Sequence, residues 1–189
     1  MVSGRLSIQL ALLTYALCVL RSAYAAESPE ERRVTSVSRI EIVIDLRAEQ
    51  VWPYLLDFTR WATDQKVEYL NDQWGKPGGK LRRVTVRDGR VVQDRIEEII
   101  AIEPARRLAV RARPPAPDPS NTDVIANMEL SPIEGSHTRF RLDVYLASDL
   151  PEPLDAESLQ RRKQQMEETL TAALRSRYEQ LKAAVEKQP

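Results

Sequence analysis

Two periods alternate along this chain, and their order leaves few folds open. Ile40, Ile42, Ile44 and Leu46 alternate with Arg39, Glu41, Val43 and Asp45, the pattern of a strand with one buried face. At Ala48 the spacing becomes helical, through Val51, Trp52, Leu55 and Leu56 and, across a break, Phe58 and Trp61. A strand over 37–46 followed by short helices over 49–56 and 58–63 is predicted. Six strand segments come next with no helical pattern between them: 67–71, 80–87, 91–103, 107–113, 121–130 and 138–146. From Asp155, suited to cap a helix, sequence rich in Ala, Leu, Glu, Gln and Arg runs to Lys187. Some thirty residues at 1.5 Å each make a rod of about 45 Å.

Turn chemistry separates the strands. Asp88-Gly89 is a strong two-residue hairpin signal. "EPAR", "RPPAPDPS" and "SPIEGSH" break the later segments. Without strand–helix alternation the sheet is expected to be an antiparallel meander. Its inward face is read as Ile40, Ile42, Ile44, Leu46; Val84, Val86; Val92, Ile96, Ile100, Ile102; Leu108, Val110, Ala112; Val124, Ala126, Met128, Leu130; and Phe140, Leu142, Val144, Leu146. A sheet with one apolar face needs a cover. The terminal helix offers Met166, Leu170, Ala173, Leu174, Tyr178, Leu181 and Val185 at spacings of three and four. The expected fold class is therefore α+β: a seven-stranded curved antiparallel sheet wrapped around a long C-terminal helix, with two short helices after the first strand.

The first residues read differently. Arg5 precedes an apolar run from Leu6 to Leu20, and Ala23-Tyr24-Ala25 supplies small residues for cleavage after Ala25. Residues 1–25 are expected to be a signal peptide, too short for a comfortable membrane span, and the protein to be periplasmic or secreted. Retention as an anchor is the alternative; a lipoprotein reading on Cys18 is weakened by the bulky Leu17 before it. Residues 26–36 are charged and aperiodic, and a disordered leader is expected there.

Residues 1–25 hold Arg5, Arg21 and no acid, so of 28 basic and 28 acidic side chains the remainder keeps 26 and 28. That slight negative balance gives no electrostatic reason to bind nucleic acid. Cys18, the sole cysteine, leaves with the signal. His137 is the sole histidine, so neither a cysteine- or histidine-based metal cluster nor a nucleophile–histidine pair is expected. No metal or cofactor is expected.

The order of these elements resembles the helix-grip fold of the START-like superfamily, the SRPBCC group that includes polyketide cyclases/dehydrases and lipid-transfer domains. The resemblance rests on "IEIVIDLRAEQVWPYLLDFTRW", the Gly-rich loop "GKPGGK", the strand pair "RIEEIIAIEPARRLAVRAR" and the capping helix, and covers residues 37–187. It implies a ligand cavity between sheet and helix. Trp61, Trp74, Arg82, Ile96, Val110, Met128, Leu142, Met166, Leu170, Leu174 and Tyr178 are then the expected lining.

Asp94 and Glu98 share the parity of Val92, Ile96 and Ile100. Facing a wet cavity opposite Arg82, either could serve as general base; a bulge would instead turn them outward. "GKPGGK" lacks the Gly-Lys-Ser/Thr ending and following helix of a phosphate loop and reads as a turn. Arg162 and Lys163 could meet an anionic headgroup, or overhang solvent. Three functions follow: an exported monomeric carrier of a hydrophobic small molecule or lipid, a cyclase/dehydrase-like enzyme, and a ligand-free envelope interaction module. The residues lean towards the first.

Overall fold

The computed structural model describes residues 32–187. The expected signal peptide and the leader as far as residue 31 lie outside the described residues. The elements are β1 (Arg33–Ile44), α1 (Ala48–Leu56), a 3-10 turn (Phe58–Arg60), β2 (Gln65–Tyr69), β3 (Lys80–Arg87), β4 (Arg90–Glu103), β5 (Arg107–Arg113), β6 (Asp123–Pro132), β7 (Thr138–Asp149) and α2 (Ala156–Glu186). All seven strands form one antiparallel sheet in the order β1-β7-β6-β5-β4-β3-β2.

β1 starts four residues before the expected boundary. Arg33–Ser36 belong to the strand, with Val34 and Ser36 buried and paired with the end of β7. Ser36 and Ser38 face inward where apolar residues would have marked the strand, so the inner face was not visible in hydropathy. The free edge of β1 is blocked by α2. Glu167 accepts from Val37 N–H, Lys182 donates to the Val43 carbonyl, and Glu186 accepts from Asp45 N–H. An edge covered in this way is closed to further strands.

The two tryptophans after α1 have a definite task. The last carbonyls of a helix lack intrahelical partners. Trp61 Nε1 donates to the Tyr54 carbonyl at 2.8 Å, and Trp74 Nε1 to the Leu56 carbonyl at 2.7 Å. Both indoles thus close the C-terminus of α1 while their rings pack on the core.

The Gly-rich loop is a tight turn. Asn71 holds it, accepting from Gln73 and Lys80 N–H and donating to the Gly78 carbonyl. A Cβ on Gly79 would lie 2.3 Å from the Gln73 carbonyl oxygen. Gly79→Ala is therefore expected to destabilise the fold by about 1–3 kcal/mol through backbone displacement, read from urea unfolding; an unchanged midpoint would refute this close approach.

Strands β3 and β4 carry the main correction. Their inner residues are Leu81, Arg83 and Thr85, and Gln93, Arg95, Glu97 and Ile99. Val84, Val86, Ile96, Asp94, Glu98 and Arg82, expected inside, face outward. Val92 and Ile100 are unpaired residues at two bulges, between Thr85/Val86 and between Ile99/Ala101, and both are exposed. A bulge shifts side-chain parity by one residue. Ile102, opposite Leu108, is inside as expected; upstream of Ile100 the alternation is inverted, and β3 follows through its pairing with β4.

The fully buried part of α2 is confined to Tyr178, Leu181 and Val185 in its C-terminal half. Met166, Leu170 and Leu174 are only partly buried. Further towards its N-terminus the rod still holds the β1 edge through Glu167, but Leu170 and Leu174 do not close against β5–β7.

Candidate functional site

Where α2 does not close on β5–β7, a cavity of about 130 Å³ remains. Its apolar walls are Val110 and Ala112 on β5, Val124, Ala126 and Met128 on β6, Leu142, Val144 and Leu146 on β7, and Leu170 and Leu174 on α2. Phe58 closes one side. One end is polar: Arg83 from β3, Gln93, Arg95 and Glu97 from β4, and Tyr178 from α2.

Glu97 is the centre of that polar end, with 2 % of its side chain exposed. Arg83 donates to its Oε1 through Nε at 2.9 Å and through Nη2 as well. Arg95 Nε lies 2.6 Å from the same oxygen. Arg83 also donates to Gln65 Oε1 at 3.3 Å, and its guanidinium sits 4.2 Å from the centre of the Phe58 ring. Burial by itself would raise the Glu97 carboxyl, but the two guanidiniums together hold it below the usual range. Burial and the neighbouring Arg83 charge push Arg95 down to about 10, still protonated at neutral pH. Tyr178 is pushed up by burial and stays neutral. Its hydroxyl meets Met128 Sδ at 3.7 Å, and its ring stacks on Phe140 at 4.8 Å.

Six of the residues expected to line a cavity come together here: Val110, Met128, Leu142, Leu170, Leu174 and Tyr178. Five do not. Arg82 pairs with Asp94 on the outer face, at 3.0 and 2.7 Å, and Ile96 shares that face. Met166 lies beyond the lining, towards the N-terminus of α2. Trp74 is held at the end of α1, and Trp61, 5.7 Å from Tyr178, borders a separate groove. Asp94 and Glu98, the weak candidates for general base, point away from the cavity; Glu98 lies 3.6 Å from Lys80. The Arg82 hydrogen bond keeps the Asp94 carboxyl low, which suits an outer ion pair rather than a base.

The cavity is also distinct from two much larger depressions of about 650 and 720 Å³. Both are open grooves whose arginines already have partners: Arg33 with Asp149, Arg111 and Arg113 with Asp123, and Arg177 with Asp64. Among the described residues, no cluster of His, Cys, Asp and Glu could hold a metal ion, and no helix is long and apolar enough to cross a membrane. His137 Nδ1 instead lies 2.9 Å from Asp45 at the surface.

Arg83, Gln93, Arg95 and Glu97 were missed from the sequence. No local signal marked them, because the shift at Ile100 shows only in the pairing of β4 with β5. Once that extra residue is known, counting back from Ile102 brings 99, 97, 95 and 93 inside.

Residues 34–186 match the family model described as polyketide cyclase / dehydrase and lipid transport. The chain belongs to this family. Similar solved structures carry the same fold. A protein of unknown function from Staphylococcus aureus superposes with a TM-score of 0.69 at 14% identity, over 82% of this chain and 95% of that one. Ara h 8.0201 gives 0.59 at 14% identity, over 82% and 99%. Norcoclaurine synthase from Thalictrum flavum gives 0.58 at 16% identity, over 83% and 97%. No curated protein matches. The family membership agrees with the START-like, helix-grip resemblance of the motifs, and family and cavity together make the space under α2 the candidate site.

Proposed function

We propose that this member of the polyketide cyclase/dehydrase and lipid-transport family is an exported, monomeric binding protein for a small hydrophobic molecule, held between β5–β7 and α2. The observation that carries this reading is the partly open, mostly apolar cavity of about 130 Å³ between β5–β7 and the middle of the helix. An apolar cavity of about 150 Å³ takes a single benzene ring, so a guest of one ring or a short acyl chain suits the space as it stands. A longer lipid would require α2 to swing away from the sheet. The N-terminal apolar run and Ala23-Tyr24-Ala25 support export; mass spectrometry of protein from the host should find the chain beginning at Ala26.

The test of binding uses toluene and hexanol as probes. Amide NMR shifts are expected to move at Val110, Met128, Leu142 and Leu174. Leu174→Trp, which fills the space, is expected to weaken both probes at least tenfold while preserving the fold, and native mass spectrometry should find a co-purified small molecule only in the parent protein. Probe binding that survives this substitution would overturn the proposed site.

A further inference from the structure

The polar end of the cavity holds two guanidiniums and a single carboxylate. With Tyr178 neutral, Arg83, Arg95 and Glu97 leave one positive charge unbalanced inside the protein. That charge belongs chiefly to Arg95. Arg83 has Glu97, Gln65 and the face of Phe58 around it. Arg95 meets Glu97 with its Nε 2.6 Å from Oε1 but out of line for a hydrogen bond at that atom. Among the described residues, no hydrogen bond reaches its terminal nitrogens. Its side chain lines the cavity and keeps 22 % of its surface accessible, so a guest can reach it without displacing a protein partner.

A buried charge is costly unless it is paired, and a guanidinium fork matches a carboxylate in shape as well as sign. Building on the proposed binding site, we infer that the guest is a monoanionic carboxylic acid with an apolar body of one ring or about six carbons, its carboxylate on Arg95 and its body against β5–β7 and Leu174. One negative charge balances the cluster; a phosphate dianion would overshoot it. The cavity volume limits the body, and the apolar walls leave no further charged group to satisfy.

The test compares hexanoate with hexanol, and benzoate with benzyl alcohol, at pH 7 by calorimetric titration of the whole protein. Each acid is expected to bind about ten- to a hundredfold tighter than its alcohol, the span of a hydrogen-bonded charge. Arg95→Met should collapse that ratio towards one, whereas Arg82→Met, on the outer face, should leave it unchanged. Should Arg95→Met not fold, Arg95→Lys, which keeps the charge without the fork, should lower the ratio part-way. Equal binding of acid and alcohol by the parent protein would overturn the carboxylate assignment and leave the cavity reading standing. Binding of neither pair would remove both. A ratio that survives loss of the Arg95 guanidinium would take the assignment away from that residue.

Discussion

Replacing Glu97 with glutamine is expected to lower the unfolding free energy by about 3–5 kcal/mol, a large share of what holds a domain of this size. The carboxylate is buried, and both Arg83 and Arg95 converge on its Oε1. Glutamine keeps the shape but removes the charge, and two guanidiniums then face each other with no anion between them. Breaking a buried ion cluster from one side is costly because the remaining charges stay desolvated. Urea unfolding at pH 7 measures the loss; a change below about 1 kcal/mol would show that the cluster is hydrated and not desolvated by the core.

The same residue sets a pH dependence. Its folded carboxyl lies below the ordinary value of 4.5. The folded state thus favours the ionised form, and the contribution is complete above 4.5 and lost as pH falls through the lower folded value. The parent protein should therefore lose stability on acidification below 4.5, and Glu97→Gln should show a shallower loss over that window. The reciprocal control replaces the whole cluster: Arg83→Met, Glu97→Leu and Arg95→Met combined should recover most of the stability, since apolar replacement of a buried triad is often neutral or stabilising. Recovery of stability together with loss of the carboxylate preference would separate binding from folding.

Leu181→Ala is expected to cost about 2–5 kcal/mol, and Leu174→Ala much less. Leu181 is fully buried between Tyr178 and Val185, at the seated end of α2. Truncating it opens a void in packed structure, where the loss of transfer energy and the new cavity add. Leu174 already borders empty space and is only partly buried, so its truncation enlarges a hole that exists. The contrast between the two positions, read from urea midpoints at equal slope, measures how unevenly the helix is seated. Equal costs would mean that α2 packs along its whole length, and the site would lose its physical basis.

Much of this architecture could be read from local pattern. The bounds of β3 and β5 are those expected, and α2 begins just after its Asp155 cap, whose side chain accepts from Ser158 N–H at 2.8 Å. The inner faces of β1, β5, β6 and β7 follow their alternation because no shift interrupts their pairing with one another. The apolar half of the site, from Val110 to Leu142 and from Leu170 to Tyr178, was legible for the same reason.

The polar half was not. Isoleucines at 96, 100 and 102 share a parity, and nothing in their spacing reveals that Ile100 has no partner on β5. Whether a strand absorbs an extra residue depends on which pairing lets Ile99 and Ile102 both reach the core against Val110 and Leu108. Periodicity and helix-capping chemistry act between neighbours in the chain, so the order and kind of the elements follow from residues alone. Which way Arg95 and Glu97 point is settled by contacts among strands and helix, because a single bulge reverses a face at no cost that local sequence can register.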